Sequence, residues 1–429
     1  MRTGFSKGTW VIFSPIIVLT LVLIACGGAA TATPAATAIP QPTAIPSPGA
    51  IVTAAPVFTP TLTSTLVPTP TPTPTPTSTP ARTATPVPIA TTRAVPTPAP
   101  SPTSTPASLS LRSLAQASGL LIGTAVQAGL LKTDPQYAST VAREFNILVP
   151  ENDMKFGSVE PQRGQFTFAN ADTDVDFATA NKLQVRGHNL IWHQSLPNWL
   201  TSGTFTRDEL SQILHNHIGT EVSRYRGRVG AWDVLNEVIA DDGSLRDTLW
   251  LRGIGPDYID MAFRWAHEAD PQARLFYNEY GAEGIGKKSD AVYNLVKGLL
   301  QRGVPINGVG LQSHFREDAP PNYKDIQTNM QRLADLGLEF QITELDVRVQ
   351  DPATPAKLSV QADIYKNLLS VCLSAKRCTA FLVWGFTDAH SWIPAFFNGW
   401  GSGDILDKSY QAKPAYEALK QTLGEATAP

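Results

Sequence analysis

The chain has 429 residues, and its composition excludes collagen, a coiled coil and a wholly disordered chain. Residues 31–108 contain 22 Thr and 20 Pro, so this stretch cannot bury a hydrophobic core. Residues 109–429 contain 30 Lys and Arg against 37 Asp and Glu, a formal charge of −7. This balance argues against a nucleic-acid partner, which would require a basic surplus to replace the counterions of the phosphates.

The N-terminus has the pattern of an export signal. Arg2 and Lys7 precede an apolar run that is interrupted by Ser, Pro and Thr and is short for a membrane span, so residues 1–25 are predicted to be a cleaved signal peptide. The run ends in the letters LIACG, which resemble the lipobox of bacterial lipoproteins. The resemblance implies that Cys26 becomes lipidated and tethers an extracellular protein to the bacterial cell envelope, with no other membrane attachment. An ordinary signal peptide, with Cys26 lost or idle, is the alternative.

Residues 26–108 are predicted to form a disordered Pro/Thr-rich stalk. Thr and Pro alternate through residues 69–76, and proline fixes φ and favours an extended, hydrated chain of the polyproline type. At about 3 Å per residue, the stalk reaches on the order of 200 Å. This length is enough to hold a folded domain clear of an envelope.

From residue 120 onward, short apolar segments recur about every 37 residues, and each is followed by polar or Gly-rich residues and then by a helix-like stretch. This is the rhythm of βα units. Eight such units close best as a (β/α)8 TIM barrel, an α/β fold, so residues 109–429 are predicted to be one barrel domain with its function on the loops beyond the strand C-termini. The predicted strands are residues 120–126, 147–152, 185–193, 230–238, 274–281, 308–315, 339–347 and 379–386.

Two of the intervening helices have clear sequence signals. Residues 292–299 place four apolar side chains at the i, i+3, i+4, i+7 spacing of one helical face, and Gly303 follows as a stop signal. Residues 326–333 repeat an apolar helical pattern before Gly337. The pattern therefore predicts one helix before and one helix after the strand predicted at residues 308–315.

Two cysteines lie near the last predicted strand. Cys372 and Cys378 are six residues apart, and a disulfide that closes a short loop is expected in an exported protein. Two unpaired core thiols are the alternative, because pairing depends on a Cα separation that a sequence does not give.

Polar residues gather where the predicted strands end, although a buried parallel strand is otherwise apolar. The fourth strand ends at Asn236 and Glu237, and the seventh contains Glu344 and Asp346. Barrel closure would bring Glu237 and Glu344 to one cleft. Two facing carboxyl groups can cleave a glycosidic bond, one as a protonated acid and the other as an ionised group that attacks the anomeric carbon or activates water, depending on their separation.

Six separate motifs point to one enzyme family. Besides the Asn-Glu and Thr-Glu-Leu-Asp strand ends, they are PENDMK at residues 150–155, GHNLIWH at 187–193, GLQSHF at 310–315, and WGFTD at 384–388 leading to SW at 391–392. In these motifs the chain resembles glycoside hydrolase family 10, whose members are chiefly endo-β-1,4-xylanases, over about residues 112–425. The resemblance implies a catalytic domain that hydrolyses internal bonds of xylan or xylo-oligosaccharides without a cofactor.

The resemblance also implies individual roles around the bond that is cut. Glu237 is expected to act as general acid and then as base, and Glu344 as the nucleophile of a retaining mechanism. Asn236 is expected to contact the sugar 2-hydroxyl. His314 is expected to lie against the nucleophile, with Asp346 polarising that histidine.

Further residues match the substrate-binding positions of the family. A neutral polysaccharide is held by flat aromatic faces and by polar groups at its hydroxyls. The chain departs from the family at Ser195, where a glutamine is common, and this puts one substrate contact in doubt. The resemblance implies glycone contacts from Glu151, Asn152, Lys155, His188, Trp192 and Gln312, a leaving-side contact from Tyr280, and stacking from Trp384 and Trp392 at the cut.

Other functional classes remain open from the sequence. A surface lectin that kept the barrel but lost its chemistry is one, and a hydrolase of cellulose or mixed-linkage glucan is another, because the same two carboxylates cut any equatorial glycosidic bond that the cleft admits. Metal catalysis lacks a His-Glu-x-x-His motif, so no metal site is expected. We expect a monomer.

Overall fold

The computed structural model describes residues 109–427. The predicted signal peptide, the lipidation site at Cys26 and the Pro/Thr-rich stalk lie outside these residues and stay predictions. Within the described part of the chain, no helix is long and apolar enough to cross a membrane.

Eight parallel strands form a closed barrel, as the apolar rhythm predicts. Neighbouring barrel strands pair in chain order, and the ring closes because the last of them pairs with the first and with the seventh. Two further short strands pair with the outer half of β8 and lie outside the ring. The barrel strands are β1 (Leu121–Val126), β2 (Ile147–Pro150), β3 (Gln184–Gly187), β4 (Ala231–Asn236), β5 (Arg274–Glu279), β6 (Gly308–Leu311), β8 (Glu339–Gln350) and β9 (Cys378–Val383), and the outer strands are β7 (His314–Arg316) and β10 (Trp400–Gly401).

The longer helices cover the outside of the barrel, and helices of four to six residues lie in the connections between them and the strands. The two helices predicted from apolar spacing are confirmed as α10 and α11, and Gly303 and Gly337 follow them with φ values of 63° and 83°. The helices are α1 (Leu111–Ser118), α2 (Ala128–Thr133), α3 (Pro135–Glu144), α4 (Phe156–Val159), α5 (Ala169–Ala180), α6 (Asn198–Thr201), α7 (Arg207–Arg224), α8 (Leu249–Ile254), α9 (Tyr258–Ala269), α10 (Lys287–Gln301), α11 (Tyr323–Asp335), α12 (Pro355–Ser374), α13 (Ile393–Phe396) and α14 (Pro414–Ala426).

The sixth and seventh predicted strands differ from the sequence pattern in their limits. Residues 308–315 form two strands, β6 and β7, because Ser313 between them has a left-handed φ of 69°. In contrast, β8 extends to Gln350, since β7 and β10 supply pairing partners to its outer half. The longer strand carries Glu344 and Asp346 away from its ends.

The predicted disulfide is confirmed. Cys372 lies in the last turn of α12, Cys378 begins β9, and their Cα atoms are 5.3 Å apart. The bond therefore fastens the end of the 20-residue helix α12 to the strand that closes the ring.

The barrel interior is packed closely beneath the mouth. A Cβ atom on Gly187 would lie 2.2 Å from the ring of Trp232, so the adjacent strand leaves no room for a side chain. Arg186 and Asp233 form a fully buried ion pair across β3 and β4, and the guanidinium also bonds to Gln341. Below the mouth, the barrel is thus a filled core that fixes the strand ends above it.

Candidate active site

A cavity of about 900 Å³ opens at the C-terminal ends of the barrel strands. It contains every predicted catalytic or substrate-binding side chain except Asp346, which is buried behind His314. The structure therefore brings together residues from seven of the eight predicted strands. The predicted residues that line the cavity are Glu151, Asn152, Lys155, His188, Trp192, Asn236, Glu237, Tyr280, Gln312, His314, Glu344, Trp384 and Trp392.

Glu344 is held by donors on both of its oxygens. Asn278 Nδ2 donates to Glu344 Oε1 over 2.6 Å, and His314 Nε2 lies 3.2 Å from Oε2. Burial alone would raise the pKa of Glu344, but the hydrogen bond from His314 and the nearby charges of His188 and His314 outweigh it and hold that pKa below its usual value. The site thus favours an ionised carboxylate at this position.

His314 bridges two carboxylates. Its Nδ1 lies 2.9 Å from Asp346 Oδ2, while its Nε2 faces Glu344. Burial would lower the pKa of this imidazole, but Asp346 and Glu344 together raise it to about 10. At neutral pH the ring is a cation that donates from both nitrogens.

Glu237 faces the same cavity from the end of β4. Trp192 Nε1 donates to its Oε2 over 2.9 Å, and Gln312 Nε2 donates to its Oε1 over 3.2 Å. The backbone of Glu237 is left-handed, with φ of 58°, and Arg246 Nε donates to its carbonyl over 2.8 Å. A strained backbone conformation of this kind persists only where the surroundings fix it, and here it aims the carboxyl group into the cleft.

A chain of amides joins the two carboxylates. The Asn236 oxygen accepts hydrogen bonds from Asn278 over 2.9 Å and from Gln312 over 3.2 Å, and these donors also hold Glu344 and Glu237. Because its oxygen is occupied, Asn236 has its NH2 group left for the cavity. Asn278 is a site residue that the sequence reasoning missed, although it is a polar residue late in a strand, which was the signal applied to the other strands.

His188 is fixed from below. Its Nδ1 lies 3.0 Å from Asp233 Oδ2, the carboxylate that also pairs with Arg186. Burial would raise the pKa of Asp233, but Arg186 and His188 lower it overall. This ionised group therefore orients the imidazole that lines the cavity beside Glu344.

One end of the cavity is polar. Lys155 Nζ donates to Asn152 over 2.8 Å and lies 5.1 Å from the ring centroid of Trp192. Gln127 Nε2 donates to Glu151 over 2.9 Å, and burial raises the pKa of that carboxyl group. This cluster offers the amide, carboxylate and ammonium groups that bind sugar hydroxyls.

A second carboxyl pair lies beneath this polar end. Asp153 accepts a hydrogen bond from the Ala128 amide, and Asp174 is fully buried. Burial and the negative charge of Asp153 raise the pKa of Asp174 to about 9. Asp174 is therefore protonated at neutral pH.

Aromatic rings line the remaining walls. Trp392 Nε1 donates to Asp346 over 2.7 Å, and its ring lies 5.2 Å from His314, while Trp384 contacts His188 edge-on at 5.1 Å. Tyr280 lies on the other side, where its hydroxyl donates to Asp241 over 2.7 Å. Flat walls of this kind suit the less polar faces of sugar rings.

Ser195, the position at which the chain departs from the family, lies in a loop beside the cavity. Ser195 has a left-handed φ of 53°, its carbonyl accepts from the Gly157 amide, and its side chain is not part of the cavity lining. The neighbouring Gln194 lines the cavity instead. The loop thus offers an amide one residue earlier than the resemblance led us to expect.

Several residues that line the cavity were not predicted as site residues from the sequence. They are His193, Gln194, Arg246, Gly281, Glu283, Phe315, Arg348, Phe396 and Phe397.

No group of three or more His, Cys, Asp or Glu in the described part of the chain is arranged to hold a metal ion.

The chain matches the model of Glycosyl hydrolase family 10 over residues 110–422. It is 42% identical over 318 residues to "Endo-1,4-beta-xylanase B" of Thermotoga neapolitana, and the alignment covers 73% of this chain and 92% of that protein. It is also 41% identical over 311 residues to "Exoglucanase XynX" of Acetivibrio thermocellus, covering 70% of this chain and 28% of that longer protein.

Solved structures agree with the sequence comparison. Xylanase 10B from Thermotoga petrophila RKU-1 in complex with xylobiose is similar to this chain at 42% identity and a TM-score of 0.73. The match covers 74% of this chain and 98% of that one, so it includes nearly all of the solved protein.

Proposed function

Because the chain belongs to glycosyl hydrolase family 10, we propose that it is an endo-1,4-β-xylanase that hydrolyses internal bonds of xylan with retention of configuration. The observation that carries the proposal is the joint presence of Glu237 and Glu344 in one cavity, linked through Gln312, Asn236 and Asn278. A lectin without chemistry has no need of this paired arrangement.

Glu344 is the nucleophile in this proposal. Its lowered pKa supplies an ionised oxygen at neutral pH. The carboxylate attacks the anomeric carbon and forms a glycosyl-enzyme ester, while the bond to the leaving oxygen breaks. The cationic His314 keeps the attacking group oriented before the attack, and Asp346 holds His314 in turn.

Glu237 is the general acid and then the general base. It gives its proton to the leaving oxygen in the first step, and in the second it takes a proton from the water that attacks the anomeric carbon and releases Glu344. Trp192 and Gln312 fix the orientation of its two oxygens. The free NH2 group of Asn236 is available to the sugar 2-hydroxyl.

The remaining predicted residues serve as substrate contacts in this proposal. The polar cluster of Glu151, Asn152 and Lys155 binds hydroxyls of the glycone sugars, with help from His188, Trp192 and Gln312. Trp384 and Trp392 cover the sugar at the cut, and Tyr280 supports the leaving side. Xylose lacks the hydroxymethyl group of glucose, so close tryptophan walls favour xylan, although one small group discriminates only modestly.

A β-glucan is the second candidate substrate. The relative named as an exoglucanase supports testing it beside xylan. Purified protein is therefore to be assayed on soluble xylan, cellulose and mixed-linkage glucan. We expect short xylo-oligosaccharides from xylan, with the β-anomer formed first in NMR spectra. Release of oligosaccharides from glucan alone would leave the mechanism standing and refute xylan as the substrate. An α-anomer formed first would refute retention of configuration.

Azide rescue separates the roles of the two glutamates. With an activated aryl xylobioside, Glu344→Ala is expected to yield the α-glycosyl azide, because azide replaces the nucleophile. Glu237→Ala is expected to yield the β-azide, because azide attacks the glycosyl-enzyme. Glu268→Ala, which removes an exposed glutamate from α9, is the matched control and is expected to behave as wild type. Exchanged azide stereochemistry would reverse the assignment.

We propose that residues 1–26 direct export and that a lipid on Cys26 anchors the protein outside the cell. We also propose that the protein is a monomer. The support is the sequence pattern of residues 1–26 and the stalk. Labelling of cells with an alkyne fatty acid is expected to mark the wild-type protein and not Cys26→Ser. Light scattering of detergent-solubilised protein at twice the chain mass would refute the monomer.

A further inference from the structure

Arg348 is a cation of the cavity wall without a polar partner. It lines the cavity and is half-buried, yet its guanidinium makes no hydrogen bond or ion pair with any residue from 109 to 427. The other cations in the cavity differ in this respect. Arg246 donates to the carbonyl of Glu237 and to the hydroxyl of Tyr280, and Lys155 donates to Asn152.

Aromatic rings hold the Arg348 side chain instead. Its guanidinium carbon lies 4.3 Å from the ring centroid of Phe397 and 5.7 Å from that of Trp400. The charges of Asp346, Asp318 and Glu317 act on it, as does that of Arg316, but none of these groups makes an ion pair or a hydrogen bond with it. Stacking of this kind fixes the plane of a guanidinium while it leaves the N–H donors at the edge unused. Phe396 lines the same part of the cavity and is 72% exposed, so a flat apolar surface lies beside the unused donors.

The position of Arg348 places it above the reacting atoms. Glu344 and Arg348 lie four residues apart on β8, and both side chains line the cavity. At about 3.3 Å per residue, Arg348 lies about 13 Å beyond Glu344 in the direction that leads out of the barrel. A side chain at this height meets groups that project from a bound polysaccharide more readily than the sugars that lie between Glu237 and Glu344.

We propose that Arg348, Phe396 and Phe397 form a receptor for a uronic acid side group of xylan, with the carboxylate on the guanidinium and the sugar ring against the phenyl faces. The proposal rests on the xylanase function proposed above. The main chain of xylan is neutral, so it offers no counter-ion to a half-buried cation. A carboxylate fits the guanidinium through two parallel charge-assisted hydrogen bonds, and its arrival supplies the partner that the free protein lacks.

A nearby arginine provides a matched control. Arg316 also stacks on Trp400, at 4.8 Å, and pairs with Arg348 in the register of β7 and β8. In contrast to Arg348, it is bound to Asp318 and is not part of the cavity lining. Removing Arg316 therefore changes the same stacked cluster without removing the proposed receptor.

The test compares xylan bearing glucuronic acid side groups with the same xylan after chemical reduction of its carboxyl groups to alcohols. The readout is the ratio of kcat/KM on the acidic form to kcat/KM on the reduced form, which keeps the size of the side group and removes its charge. For the wild type we expect a ratio of about 5 to 10, less than a fully buried charged hydrogen bond would give, because the site is half-exposed. Linear xylohexaose measures the main-chain reaction in parallel.

We expect Arg348→Met to bring the ratio to about 1, Arg348→Lys to give an intermediate ratio because the charge remains without the bidentate geometry, and Arg316→Met to keep the wild-type ratio. Salt is expected to lower the wild-type ratio, a measurement that needs no variant. A wild-type ratio of 1, or an unchanged ratio in Arg348→Met, would overturn the receptor while activity on xylohexaose upholds the xylanase. A wild type that cuts none of the three substrates would overturn the proposed function and the receptor with it.

Discussion

Replacing Asp346 by Asn tests whether His314 is a cation held between two carboxylates. Asp346 Oδ2 lies 2.9 Å from His314 Nδ1 and accepts from Trp392 Nε1 over 2.7 Å. An asparagine oxygen retains both acceptor contacts and removes the negative charge. The substitution therefore changes the electrostatics of the site with little change in its shape.

The expected magnitude follows from the contact that is altered. Burial lowers the pKa of His314, and Asp346 and Glu344 raise it against that effect to about 10. A hydrogen bond to a charged group contributes about 1.5–3 kcal/mol and a neutral one about 0.5–1.5 kcal/mol, so the retained bond loses about 1–1.5 kcal/mol. Because 1.36 kcal/mol corresponds to one pH unit, the pKa is expected to fall by about one unit, and the His314 cation would then be lost at about pH 9.

The raised pKa of His314 also makes the free energy of unfolding depend on pH. The pKa of His314 is higher in the folded state than the usual 6.5, so its contribution is complete below pH 6.5 and is lost as the pH rises through about 10. In Asp346→Asn this loss is expected to occur at lower pH. Chemical denaturation from pH 6 to 10 measures it.

Histidine NMR provides the direct assay. The imidazole nitrogen shifts of wild type and Asp346→Asn are to be followed over the same pH range, with His314→Gln to assign the signal. Asp318→Asn, which neutralises an exposed aspartate, is the control and is expected to leave the midpoint unchanged. A wild-type midpoint near 6.5, or the same midpoint in Asp346→Asn, would refute the ion-pair account of the site.

Three further changes test the scaffold around the site. Asp174→Asn is expected to stabilise the protein at pH 7 to 9, because a carboxyl group whose pKa is raised to about 9 on folding makes the free energy of unfolding fall by up to about 1.4 kcal/mol per pH unit between its unfolded and folded pKa values. Urea unfolding at a series of pH values would show a smaller fall with pH in the variant, and the same fall as in the wild type would contradict the prediction. Cys372→Ser is expected to cost about 2 kcal/mol in the same melts, since it opens the short loop to Cys378, and reduction of the wild type gives the comparison. Gly187→Ala is expected to cost about 2 kcal/mol or more, because its Cβ would meet the ring of Trp232, and wild-type thermal stability would refute that packing.

The barrel was predictable because each strand has a local sequence signal, a short apolar run. The limits of β6 and β8 were not, since the break at Ser313 and the extension to Gln350 depend on backbone conformation and on pairing with strands distant in the sequence. Glu237 and Glu344 were found because they sit in short contiguous motifs. Asn278 was missed because its importance comes from reaching β4 and β8 at once, and β8 is not its neighbour in the sheet, so only the closed barrel reveals both contacts.

Arg348 illustrates the same limit from the other direction. Its sequence position, two residues after Asp346, was visible from the start, but only the folded cleft reveals that no residue from 109 to 427 accepts a hydrogen bond from its guanidinium. Sequence motifs state which groups are present. They do not state which of those groups remain unsatisfied once the chain has folded.

The length of β8 determines how this enzyme loses its activity on unfolding. The strand continues six residues past Glu344 and has partners on both sides, and the Glu344 amide donates to the carbonyl of Gln312 over 3.0 Å. Amide hydrogens in the middle of such a strand are expected to exchange with solvent only when the whole barrel opens. Fraying of strand ends therefore leaves the nucleophile in place, and heat inactivation is expected to coincide with cooperative unfolding instead of preceding it.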